Sequence, residues 1–163
     1  MNRKMVGNDW KHHPSPDFIL LASSFSPAMN QRLRAFFDKQ VDNVLKRLPQ
    51  RVHELLEEVP LYVEDYPSRQ LMREMNLKYR DELCGCFVGQ TINNRSSLPY
   101  FDSGTDSPGF IALFREAIYQ QVLDEEGYVD VKKLRVEIKT TILHELAHYH
   151  GIEEEEIQQL GYG

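Results

Sequence analysis

The stretch Val131-Lys-Lys-Leu-Arg-Val-Glu-Ile-Lys-Thr-Thr-Ile-Leu-His144-Glu145-Leu-Ala-His148-Tyr-His150 runs without a glycine or proline between Asp130 and Gly151. Asp is a favoured N-cap residue, and a glycine directly after a helix suits the left-handed turn that ends it. The spacing therefore predicts one long helix over 131–150. At about 100° per residue, Val131, Leu134, Val136, Ile138, Ile142, Leu143, Leu146 and Ala147 cover more than half of its circumference. Glu137, Thr140, Thr141, His144 and His148 share the narrow remaining arc. A helix apolar around most of its surface belongs to an interior, so the two histidines are expected to look out of a core into a cleft.

Histidines at i and i+4 project from the same helix face, and two imidazoles so placed can grip one Zn²⁺. Glu145, beside the first of them, falls within the apolar arc on the border nearest the histidines. A carboxylate there needs a hydrogen-bonding partner, and desolvation is expected to raise its pKa toward that of a useful general base. Zinc requires a third protein ligand, with the fourth position left for water. In His144-Glu145-x-x-His148-x-x-Gly151-x-x-Glu154, the turn at Gly151 is placed to return Glu154 to the metal. That is the ligand topology of the metzincin motif with a carboxylate in the last position. Glu153 and Glu155 are the substitutes for Glu154, and all four acids from Glu153 to Glu156 also read as a solvated run opening a short last helix. His150 points well away from the other two histidines.

Three pieces of the chain carry a family resemblance. Thr141-Ile-Leu-His-Glu-Leu-Ala-His-Tyr-His-Gly-Ile-Glu-Glu-Glu-Glu-Ile resembles the minimal-zincin family of small bacterial metallopeptidases, whose signature is HExxHxxGxx followed by Asp or Glu. Leu83-Cys-Gly-Cys-Phe-Val-Gly is similar to the family's glycine-containing strand, and Pro108-Gly-Phe-Ile-Ala-Leu-Phe to its second strand. The resemblance spans roughly Pro27 to Leu160. It implies an α+β, zincin-like fold: a small mixed sheet packed against helices, with the HExxH helix near the C-terminus. It also implies one Zn²⁺ per chain held by His144, His148 and Glu154, with peptidase activity. Two departures are visible. The loop between the two strands is long, and Glu154 stands where Asp is more usual.

The net charge of −6 over 163 residues offers no electrostatic attraction for nucleic acid or an anionic membrane. No apolar run approaches membrane-spanning length, and the N-terminal region lacks a signal-like pattern, so a cytoplasmic location is expected. Cys84 and Cys86 are the only cysteines. One residue apart, they are poorly placed for a disulfide and are expected to be buried and reduced.

Two segments are expected: a flexible N-terminal tail over 1–25 and a single domain over 26–163. Ser26-Pro27 reads as a helix start, with the helix running to about Leu48 and stopped by Pro49. A second helix is predicted over 52–58, a strand from Leu61 to Asp65, and a short helix from Arg69 to about Leu77. Strands are predicted over 83–91 and 110–114, and a helix over 116–123. The polar connection over 92–107 is longer than a strand link requires.

The expected chemistry is hydrolysis of a peptide or protein substrate, with Glu145 moving the water proton to the leaving amine. An extended peptide is expected to lie along an exposed strand edge. Tyr149, Tyr162 and the long loop are the candidate oxyanion donors. Two other functions are open to the same residues: a non-catalytic, metal-stabilised interaction domain, and a zincin-like metal-dependent ribonuclease. The second is disfavoured by Glu145, the absent third histidine and the acidic charge.

Overall fold

The computed structural model describes residues 18–20, 29–89, 91 and 109–159. Its centre is a three-stranded mixed sheet ordered β2-β4-β3. Strand β4 (Phe110–Phe114) lies in the middle, parallel to β2 (Leu61–Glu64) and antiparallel to β3 (Gly85–Val88). Side chains alternate across a pleated strand, so neighbours in sequence feed opposite faces. Phe87, Ile111 and Leu113 join one core with Phe37, Leu134, Ile138 and Ile142. Cys86, Val88, Ala112 and Phe114 join a smaller core with Leu71 and Ala117. Both faces of β3 and β4 are therefore covered, which explains their continuous rather than alternating apolar character.

Helix α1 (Gln31–Leu45) and the long α5 (Val131–Tyr149) pack on the first face. Helix α1 starts later than expected: Asn30 is the N-cap, its side-chain oxygen accepting from the Leu33 N–H at 2.9 Å. That bond satisfies a donor that the first turn leaves unpaired, which sets the helix start there. The proposed start at Ser26-Pro27 lies outside the described residues. Helix α2 (Gln50–Glu58) follows Pro49, and α3 (Arg69–Glu74), capped by Ser68, covers the second face through Leu71. Helix α4 (Arg115–Val122) leaves β4 directly. Its buried Arg115 bonds Asp38 of α1 at 2.7 Å and Asp65, just past β2, at 2.9 Å. Arg34 completes the cluster at 2.6 Å from Asp65. The charges are balanced, as burial requires, and they tie three elements together.

Inside the span 1–25, expected as a flexible tail, one segment is a strand. Phe18–Leu20 forms β1, which pairs antiparallel with β5 (Tyr128–Asp130) in a second sheet. The apolar Phe-Ile-Leu run gains a partner for its backbone groups only once β5 is in place. Strand β5 was not expected either, because three residues are too few to show a period. It follows Gly127, which takes φ 85°, in a turn where the Asp124 carboxylate accepts from the Glu126 and Tyr128 N–H groups. The loop over 92–107 lies outside the described residues. Its flanks meet as a glycine pair: a side chain on Gly89 would come within 2.5 Å of Gly109 Cα, and Gly109 takes φ 88°. Among the described residues, no helix is long and apolar enough to cross a membrane.

Candidate metal centre

The helix that carries the histidines has defined ends. Asp130 caps α5, its side chain accepting from the Lys132 and Lys133 N–H groups at 2.7 and 3.3 Å. At the other end Gly151 takes φ 74°; its N–H donates to the His148 carbonyl and the Ile152 N–H to the Ala147 carbonyl. Those two bonds are the Schellman arrangement, and they turn the chain sharply away from the helix. Val131, Leu134, Ile138, Ile142 and Leu146 are buried, which leaves His144 and His148 half-buried on the remaining face.

His144 and His148 converge. Their Nε2 atoms are 3.0 Å apart and the rings meet edge to face, with centroids 4.7 Å apart. Two nitrogens on a tetrahedral Zn²⁺ at 2.0–2.1 Å stand about 3.3 Å from each other, so this pair is within a few tenths of an ångström of a chelating geometry. Two neutral imidazole nitrogens are also the donor chemistry that zinc accepts.

Glu145 is buried, at 6% exposure, one position around the helix from the pair. Its Oε2 accepts a 2.7 Å hydrogen bond from the Phe87 N–H. Phe87 faces Ile111 across the ladder, at a position where its N–H is directed away from β4, to the side of β3 that carries no strand among the described residues. The carboxylate thus reaches from the helix to the edge of the sheet. Gly85 permits that approach: an added Cβ would lie 2.6 Å from Thr141 Cγ2, 3.0 Å from the Ala112 carbonyl oxygen and 3.4 Å from Glu145 Cγ. Neither Phe87 nor Gly85 was singled out from the sequence as part of the site. The one available sign was a glycine inside an apolar strand, which commonly marks a close backbone approach.

The backbone of Glu154 begins α6 (Glu154–Gln159), just past the turn at Gly151; its side chain lies outside the described residues. Glu153, Glu155 and Glu156 are exposed. Among the described residues no three metal-binding side chains are gathered in one place. Tyr149 points elsewhere than an oxyanion donor would: its hydroxyl donates to Glu58 at 3.1 Å and its ring packs on Phe87. Tyr162 lies outside the described residues. His150 is the C-cap, with its ring against Tyr149. Cys84 and Cys86 are free thiols, each pushed up to about 12 by burial first and then by nearby carboxylate charge. A raised pKa disfavours the thiolate, which is the reactive form.

Residues 56–163 match the zincin-like metallopeptidase family, over a span that includes the sheet, α5 and the turn beyond it. This chain belongs to that family. Membership supports a hydrolase of the metallopeptidase type, and zinc binding is expected of the family. The match begins inside α2, so α1 lies outside it, although the resemblance noted in the sequence began near Pro27. No curated protein matches the chain.

Proposed function

We propose that the chain is a zinc-dependent peptidase in which His144, His148 and Glu154 hold one Zn²⁺ and Glu145 is the general base. The observation that carries this reading is the pair of Nε2 atoms 3.0 Å apart with a buried carboxylate on the next residue. Bound zinc would lower the pKa of water and polarise the scissile carbonyl. The chain's own residues do the rest. Glu145, held by the Phe87 N–H, takes a proton from the attacking water and delivers it to the leaving amine, so that water is consumed and two peptide products form. The edge of β3 is the place for an extended peptide, although Glu145 already occupies its N–H at Phe87. The sharp turn at Gly151, three residues before Glu154, supports Glu154 as third ligand because it ends the helix and lets the chain change direction there. Peptide or protein substrates, a cytoplasmic location and the absence of nucleic-acid or membrane partners belong to the same proposal.

One observation favours a second reading, the interaction domain: the Glu145–Phe87 bond also fastens α5 to β3, a purely structural task. Glu145→Gln separates the two, because the amide oxygen can still accept from Phe87 but cannot move a proton. Metal content is measured by mass spectrometry on untagged protein purified without added metal or chelator. Peptide hydrolysis is then compared between the wild-type chain and Glu145→Gln. About one zinc per chain in both proteins, with hydrolysis only in the wild type, is the expected result. Zinc in both and hydrolysis in neither identifies an interaction domain. No zinc, and none taken up from buffered solution, removes the metal site.

A further inference from the structure

Glu137 lies on the same narrow face of α5 as the two histidines, seven residues before His144 and eleven before His148. At about 100° per residue, its direction falls within about 20° of each. At about 1.5 Å rise per residue, it stands roughly 13 Å along the axis from the midpoint of the pair. It is half-buried, and among the described residues its carboxylate has no hydrogen bond or ion pair. Burial raises its pKa, and its charge in turn acts on Cys84. A carboxylate removed from much of its water and given no cation is costly unless something arrives to pair with it. What sets Glu137 apart from other half-buried acids such as Glu74 is its place on the histidine face of α5.

The strand beside α5 makes this position part of a track. Cys84, just before β3, is close enough to feel Glu137; Gly85 lies against Thr141 and Glu145, and Phe87 bonds Glu145 and packs on Tyr149. Helix and strand therefore run side by side in the same direction. A chain extended along them at about 3.3 Å per residue covers the 13 Å between the histidines and Glu137 in about four residues. We propose that Glu137 is an anionic subsite that selects peptides carrying a cationic group, a lysine or arginine side chain or a terminal amine, three to four residues from the cleaved bond. This rests on the peptidase reading and adds to it a substrate class.

The test uses a set of otherwise neutral peptides in which one lysine is moved through the four positions on either side of a central bond. Cleavage by the zinc-loaded full chain is compared with that by Glu137→Gln and Glu137→Lys. The expected result is a lysine preference of about tenfold at one position three or four residues from the bond, the size of a charge-assisted contact. That preference falls to near unity in Glu137→Gln and passes to a glutamate peptide in Glu137→Lys. A preference unchanged by either substitution, or no positional preference in the wild type, overturns the subsite while leaving the peptidase reading intact. Binding supplies a readout independent of catalysis. Fluorescence anisotropy of the lysine peptides and an all-neutral peptide is measured on Glu145→Gln and on the Glu137→Gln/Glu145→Gln double variant. If nothing is hydrolysed, the peptidase reading fails by itself; a lysine peptide bound more tightly only when Glu137 is present still supports the subsite. Equal binding of all peptides to both variants overturns it.

Discussion

Replacing Gly85 by alanine tests whether α5 and β3 approach as closely as the site requires. The backbone of Gly85 is not in the left-handed region, so alanine is conformationally allowed there. In open space the substitution would stabilise by about 0.4–1 kcal/mol, because the unfolded chain loses freedom. The space is not open. The new Cβ would stand 2.6 Å from Thr141 Cγ2 and 3.0 Å from a backbone carbonyl oxygen. Ordinary carbon contacts lie near 3.5–4.0 Å, so about 1 Å must be found. Thr141 cannot easily swing aside, since it is β-branched within a helix and its Oγ1 donates to the Glu137 carbonyl at 2.9 Å. Overpacking of this kind costs about 1–3 kcal/mol, which outweighs the entropic gain and leaves a net loss of about 1–2 kcal/mol. With a urea m-value of about 2 kcal/mol/M, the midpoint falls by about 0.5–1 M. Thr141→Ser removes the obstructing methyl and keeps the hydroxyl, at a cost of about 1 kcal/mol alone. The double variant should then be more stable than the two losses summed, by at least about 1 kcal/mol. A Gly85→Ala chain as stable as wild type, or strictly additive losses, would refute the close approach.

Three further outcomes follow from the same geometry. Asp130→Ala should lower stability by about 1 kcal/mol in urea unfolding, because the two N–H groups at the start of α5 lose their acceptor. Burial of Asp65 works against its charged form, but hydrogen bonding and charge from Arg34, with Arg115 adding to them, hold its pKa below the ordinary value of 3.8. Its folded pKa is thus lower than its unfolded one, so its stabilisation is complete above about pH 4 and fades as pH falls through the depressed value. Asp65→Asn should therefore be less stable than wild type at pH 7, and the gap should shrink below pH 4 in a pH series of urea midpoints. Finally, with both thiols near 12, Cys84 and Cys86 should resist a thiol reagent at pH 8 in the native chain and react fully in denaturant. Rapid native-state labelling would contradict the burial of Cys86 and the partial burial of Cys84.

The chain by itself determined α5 and the residues it presents. An uninterrupted apolar period, an aspartate at one end and a glycine at the other are local properties, and the helix runs from Val131 to Tyr149 as they require. The convergence of His144 and His148 is local too, since four residues of helix bring any two side chains to one face. Strand β4 was equally legible over Phe110–Phe114 because its apolar run is bounded by a proline-glycine pair and a charged helix start. The short strands were not. The chain between β1 and β5 spans most of the sequence, and pairing at that separation leaves no periodic trace in three residues. The close contact of Gly85 with Thr141, the bond from Phe87 to Glu145 and the placing of Glu137 near Cys84 were likewise decided by tertiary structure. Each depends on which strand the helix meets and in which register. Only the assembled sheet sets that register, because shifting a strand by one residue moves every side chain to the other face.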